Sequence, residues 1–196
     1  MIAIVDYGAG NLNSVKAAFD YLGAEAVVTK DATTLAAADR IVLPGVGHFS
    51  ALSALDRTGL RPALLEVARG SSPLLGICLG MQWLFEGSEE CCEIEGAGVF
   101  SGICRQFPSS VKSPHVGWNS LSVREGSRLL RNIAQDSFVY YSHSFHAPVV
   151  DDTSAATEYG VQFSAVVERQ NTFGVQFHPE KSGEVGLRIL KNFCEV

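Results

Sequence analysis

The sequence predicts an α/β protein, with a mostly parallel central sheet flanked by helices and an antiparallel extension in the second half. Three observations predict it. Through the first eighty residues, short apolar runs alternate with helical periodicity, the β-α-β-α-β order that builds a parallel sheet with helices on both faces. After Val99 the texture changes to closely spaced short strands. Hydrophobic residues make up 46% of the 196, enough to bury a sizeable core.

Residues 1–5 form an apolar strand ending at the turn Asp6-Tyr7-Gly8-Ala9-Gly10. A helix follows, with Val15, Ala18, Phe19 and Leu22 at i, i+3, i+4, i+7 spacing and Gly23 as its stop. Strands are predicted at 26–29 and 40–43, the latter running into Pro44-Gly45-Val46-Gly47, and a helix over about 60–68. Residues 73–77 are short, apolar and bounded by turn formers, and therefore read as a buried strand. Good helix formers follow from Leu79 to Phe85. Beyond Val99, strands are predicted at 116–123, 138–145, 155–159, 165–168 and 173–177, and an amphipathic helix from near Ser182 presents Val185, Ile189 and Phe193 on one face. No internal repeat or linker divides the chain, so one domain, 1–196, is expected.

Fifteen Lys and Arg against 21 Asp and Glu give a formal charge of −6, and the pI is near 5.3. That balance argues against a general nucleic-acid binder. No apolar run reaches membrane-spanning length and the N-terminus has no basic region leading into one, so a cytoplasmic protein without a membrane partner is expected. The five cysteines (78, 91, 92, 104 and 194) contain no CxxC pair and suggest neither a disulfide framework nor a metal site. Cys91 and Cys92 read as reduced loop residues, and Cys104 and Cys194 as small core hydrophobes.

One cysteine stands apart. Cys78 lies where the strand becomes a helix, in Gly76-Ile77-Cys78-Leu79-Gly80, whose glycines remove Cβ atoms that would crowd a tight corner. This is the thiol version of the G-x-S-x-G nucleophile elbow, and the helix N-terminus favours a thiolate. A structural cysteine at a Gly-rich turn is the alternative. The tail Gln176-Phe177-His178-Pro179-Glu180 supplies a base, because Pro179 biases His178 toward extended geometry. Extended residues two apart point the same way, which would let Glu180 orient the imidazole that takes the thiol proton. Together the two motifs favour the catalytic reading. His48 and His115 are expected to face solvent, and His143 to lie beside a pocket without a carboxylate at similar spacing. Gly8-Ala9-Gly10 lacks the third glycine of a dinucleotide fingerprint and reads as a turn.

These motifs resemble those of the class I, triad-type glutamine amidotransferases. More narrowly the chain is similar to the glutaminase subunits of imidazole glycerol phosphate synthase, through Asp6–Leu12, Leu43–Gly47, His115-Val116-Gly117-Trp118-Asn119 and Phe177–Gly183. The resemblance implies a flavodoxin-like sheet. It also implies that Cys78 attacks the side-chain amide of L-glutamine, His178 acts as base then acid, and Glu180 orients it. It implies an oxyanion hole from the Leu79 N–H and, after a peptide flip, the Val46 N–H. Glutamine would be held by Gln82 and by main chain at Gly45, Gly47, Ser144 and Phe145. No cofactor is implied. The implied partner is a (β/α)8-barrel cyclase subunit, with Asn11, Trp118, Asn119 and Lys181 at interface positions. From residue type alone, Trp118 reads instead as core and Lys181 as a solvated charge.

The chain departs from the family pattern at His48, Val116, Ser142 and Phe145, where small, Met, Val and Tyr residues are usual. No segment remains for a second active site, so ammonia made here would be consumed in a bound synthase. Competing readings are a glutaminase subunit of another pathway, a thiol protease or amidase, and a non-enzymatic module. The intact Cys78, His178 and Glu180 set argues against the last.

Overall fold

The computed structural model describes the backbone of all 196 residues and every side chain but that of Ser71. Strand β1 (Ile2–Val5) leads into α1 (Leu12–Tyr21), then β2 (Ala26–Thr29), α2 (Ala32–Ala37) and β3 (Arg40–Gly45). Helices α3 (Ser53–Arg57) and α4 (Arg61–Glu66) precede β4 (Leu74–Cys78) and α5 (Leu79–Trp83). Short strands follow: β5 (Gly87–Ser88), β6 (Ile103–Gln106), β7 (His115–Ser120), β8 (Ser122–Val123), β9 (Phe138–His143) and β10 (Phe145–His146). The chain closes with β11 (Thr153–Glu158), β12 (Gln162–Arg169), β13 (Thr172–Val175) and α6 (Gly183–Glu195).

The main sheet has eight strands in the order β2-β1-β3-β4-β13-β12-β11-β8. The first five run parallel and the last three pair antiparallel. The expected fold class and its antiparallel extension are therefore present in one sheet. Side-chain alternation along β1 shows why both faces need helices. Ile2 and Ile4 join a core with Val15 and Phe19 of α1 and Ile189 and Phe193 of α6. Ala3 and Val5 join a second core with Leu35 of α2, Leu55 of α3 and Leu64 of α4.

The strand expected at 116–123 divides into β7 and β8, and that at 138–145 breaks at Ser144 into β9 and β10. These pieces serve two small sheets, β7 with β9 and β10-β6-β5, as well as the large one. Helices α2 and α3 have no counterpart in the sequence reading, being only six and five residues long, too short for a full period of apolar positions. The helix expected over 60–68 gives way after Glu66 to a wider turn that closes at Gly70, with φ +98°. No helix among the described residues is long and apolar enough to cross a membrane.

Candidate active site

Strands β3, β4 and β13 are neighbours in the parallel part of the sheet, and their carboxyl ends deliver the three parts of the site. β4 ends at Cys78, whose φ of +54° and ψ of −107° place a non-glycine residue in a sparsely allowed region. The flanking glycines are required sterically. A Cβ on Gly76 would lie 2.6 Å from the Gly80 carbonyl oxygen, and one on Gly80 would lie 1.8 Å from that of Leu43. The chain must therefore turn within one residue, and it leaves Cys78, itself buried, at the N-terminus of α5. The elbow expected from the sequence is present.

β13 continues through Gln176 to His178, which is 3% exposed. Its backbone is clamped: the His178 N–H donates to the Tyr140 carbonyl at 2.9 Å, and the Ser182 hydroxyl donates to the His178 carbonyl at 2.7 Å. Its Nδ1 meets Glu180 Oε1 at 3.0 Å, and the ring is close enough to Cys78 to interact with its thiol. Burial alone would depress the imidazole. Hydrogen bonds to Cys78 and Glu180 and their negative charge outweigh it, and push His178 up to about 10. The structure thus unites Cys78, His178 and Glu180. The route differs from the expected alternation, since Pro179–Lys181 is a 3-10 turn that brings Glu180 back beside the ring.

β3 contributes the third part. Gly45 pairs with Cys78 in register. A Cβ there would lie 2.5 Å from the Tyr7 hydroxyl and 2.7 Å from Leu79 Cβ, so the glycine permits close approach of this strand to the elbow. Its φ is not positive; Gly47, at +92°, is the residue that uses left-handed space. Val46 between them is 39% exposed.

A cavity of about 280 Å³ opens beside the sulfur. Gly47, Cys78, Leu79, Gln82, Ser144 and Phe145 line it, as do His143 and Glu90. Of the residues expected to hold glutamine or its oxyanion, Gly45 and Val46 lie outside the lining. The Gln82 amide nitrogen is already engaged, donating to the Phe145 carbonyl at 2.8 Å and to Gln176 Oε1 at 3.1 Å. Sequence reasoning missed Glu90, which sits in an acidic pair that reads as a solvated run; its Oε2 accepts the Phe49 N–H at 2.7 Å. It also missed the role of Gln176, whose Nε2 lies 3.7 Å from Cys78 Sγ.

Three further expectations need correction or refinement. His115 is buried, not solvent-facing, because its ring stacks between Tyr141 and Tyr159 at 4.8 and 4.0 Å. Trp118 is 54% exposed and is not a core residue, since alternation along β7 turns it away from the packed face. Cys194 is half-buried, unlike Cys104. On the surface Trp118 packs edge-on against Tyr140, and Lys181 lies over the other reach of that ring at 5.9 Å. The Asn119 amide donates to the Glu158 carbonyl at 3.0 Å. Asn11 precedes α1 without capping it through its side chain. His48 is exposed, as expected.

Comparison with known proteins gives this geometry a family. Residues 3–196 match the class-I glutamine amidotransferase family. A Methanothermobacter thermautotrophicus protein named imidazole glycerol phosphate synthase subunit HisH is 48% identical over 198 residues, covering 100% of this chain and 98% of that protein. A Bacillus cereus protein of the same name is 47% identical over 195 residues, covering 98% and 93%. Among solved structures, a crystal structure of a glutamine amidotransferase aligns with a TM-score of 0.78 at 18% identity, covering 100% of this chain and 98% of that one. The structure of PurLQS from Thermotoga maritima aligns at 0.74 and 22% identity, covering 99% and 97%. At those identities the structural likeness speaks for the fold, while the sequence matches assign the family. The chain belongs to the class I glutamine amidotransferases and, within them, to the imidazole glycerol phosphate synthase subunit HisH family.

Proposed function

We propose that this chain, acting as one domain, is the glutaminase subunit of an imidazole glycerol phosphate synthase and supplies ammonia for histidine biosynthesis. The observation that carries the proposal is the buried imidazole of His178, held by Glu180 at 3.0 Å and interacting with Cys78, whose elbow lines a cavity that fits a small amino acid.

In the first half-reaction the Cys78 thiolate attacks the side-chain amide carbon of glutamine. The tetrahedral oxyanion takes the Leu79 N–H and, once the Gly45–Val46 peptide turns over, the Val46 N–H. Collapse breaks the C–N bond as the His178 imidazolium gives its proton to the departing nitrogen, leaving a γ-glutamyl thioester and ammonia. His178, now neutral, takes a proton from water as the water attacks the thioester. Expulsion of the thiolate releases glutamate and restores the starting pair. Glu180 keeps the imidazole tautomer and orientation. Glu90 complements the substrate ammonium. Gln82 offers its carbonyl oxygen, and the main chain of Gly47, Ser144 and Phe145 completes the grip, with Gly45 leaving room for the oxyanion strand.

The partner is a (β/α)8-barrel cyclase acting on a phosphoribulosyl carboxamide nucleotide, docked on the face bearing Asn11, Trp118, Asn119 and Lys181. Its products are imidazole glycerol phosphate and an aminoimidazole carboxamide ribonucleotide. Docking favours the donating orientation of the Val46 amide. Losing one oxyanion donor costs ~10²–10³ in kcat, so an amide turned away would hold the free subunit nearly inactive.

A glutaminase assay with and without the cyclase and its nucleotide, comparing wild type with Cys78→Ala, tests this reading. Turnover should require Cys78 and rise sharply in the complex. Activity surviving in Cys78→Ala would overturn the catalytic assignment, and equal turnover with and without the partner would overturn the flip. Failure of the two subunits to co-purify would count against the pathway.

A further inference from the structure

A directed series of hydrogen bonds runs from β7 to the cavity. The Phe145 carbonyl can only accept, and His143 Nδ1 lies 2.8 Å from it, so Nδ1 carries that ring's proton. In a neutral imidazole the other nitrogen is then an acceptor. His115 Nδ1, 3.2 Å from His143 Nε2, must donate to it. His115 Nε2 is left as an acceptor, and the Asn119 amide nitrogen lies 3.4 Å from it. The Asn119 orientation agrees, because its Oδ1 accepts the Ser120 N–H at 2.8 Å. Every donor meets an acceptor only if both histidines are neutral with protonated Nδ1.

The surroundings enforce that state. His143 is buried among Phe107, Tyr141 and Phe163. The stack between Tyr141 and Tyr159 fixes the plane of His115. Burial pushes His143 down to about 3 and His115 down to about 4, so neither ring carries charge near neutral pH. The segment these rings hold needs support. β9 breaks at Ser144, and β10 is only two residues long, so the main chain beside the cavity has little ladder of its own. The Gln82 amide takes the second lone pair of the same carbonyl at 2.8 Å.

We infer that His143 is a positioning residue for glutamine: its Nδ1–H, kept in that tautomer by His115, fixes the Phe145 carbonyl and with it the Ser144–Phe145 main chain lining the cavity. The inference rests on the glutaminase reading of that cavity and adds to it His143, at the cavity wall, and His115 behind it.

The test uses the full chain with its cyclase subunit, and separates the two bonds of His143. His143→Asn can place an N–H where Nδ1 stands and keeps the bond to Phe145. His143→Gln can place an acceptor where Nε2 stands and keeps only the bond to His115. His143→Gln should raise the glutamine KM about tenfold, the effect of one lost buried hydrogen bond, with the smaller change in kcat. His143→Asn should recover most of that loss. Alkylation of Cys78 by iodoacetamide should be unchanged in both, while labelling by a diazo-ketone glutamine analogue slows in His143→Gln alone. Should the His143 variants fold poorly, His115→Phe preserves the stacked ring while removing the proton donated to His143 and the acceptor facing Asn119; it should raise KM by about threefold, a partial loss of the same bond.

A wild-type KM in His143→Gln, or in His115→Phe, overturns the inference. Equal impairment of Asn and Gln, or parallel loss of iodoacetamide reactivity, overturns it too. Wild type that turns over no glutamine would instead defeat the glutaminase reading itself.

Discussion

Gln176 Nε2 stands 3.7 Å from Cys78 Sγ, and the amide is fully buried. Its orientation is fixed from behind, because its Oε1 accepts the Gln82 amide at 3.1 Å. That N–H can donate to the sulfur and hold it in place for attack. Gln176→Leu should therefore slow both iodoacetamide alkylation of Cys78 and kcat/KM for glutamine by about tenfold, the equivalent of one buried hydrogen bond. Parallel measurement of the two rates checks it. An unchanged alkylation rate would remove Gln176 from the chemistry.

Glu180 touches His178 Nδ1 at 3.0 Å, and its other oxygen is buried without a partner among the described residues. The carboxylate therefore serves the imidazole. Glu180→Gln keeps the shape but lets the amide present an N–H to Nδ1 and so favour the wrong tautomer. By analogy with acid-base-nucleophile triads, kcat should fall by ~10²–10⁴ with a smaller effect on KM. Steady-state glutaminase kinetics in the complex decide the point.

The elbow glycines should be intolerant of a single methyl. Gly80→Ala would drive Cβ into the Leu43 carbonyl oxygen, a separation of 1.8 Å, where backbone on both sides must move. A loss of about 2 kcal/mol or more in urea denaturation is expected. Gly87→Ala is the matched control, since its Cβ would stand 3.7 Å from the nearest atom and its φ is not positive. That change should stay within about 0.5 kcal/mol.

Stability should fall in mild acid through the buried histidines. In the folded state His143 sits at about 3 and His115 at about 4, both below the ordinary 6.5, chiefly through burial. Between pH 6.5 and 4 the unfolded chain therefore binds protons that the folded chain refuses, and the unfolding free energy drops as pH falls. The contribution is fully present above 6.5 and is lost progressively down to the folded values. His115→Phe should flatten this slope relative to wild type. Urea midpoints at pH 7, 5.5 and 4.5 for the two proteins measure it.

Much of the fold was legible because its signals are local. The β2 strand appears over the predicted residues, and α1 buries Val15, Ala18 and Phe19, three of its four predicted apolar positions. The elbow was legible for the same reason, since a tight corner demands glycines at fixed offsets. The split at Ser144 was not, because Tyr140 to His146 reads as one continuous run. What divides it is the pull of two different sheets, and that competition leaves no local mark. The burial of His115 was hidden likewise: its stacking partners lie 26 and 44 positions away in the chain.

The amino-acid order by itself determined the alternation of strands and helices, the sharp turn that places Cys78 between strand and helix, and the residue types suited to acyl transfer, because each depends on neighbours within a few positions. Tertiary structure decided which side chains meet. Laying β13 beside β4 brought His178 and Gln176 to Cys78, and the return of β9 against β7 set His115 against His143. Pairing between distant strands is fixed by the summed burial of both sheet faces, a quantity that no short stretch of sequence contains.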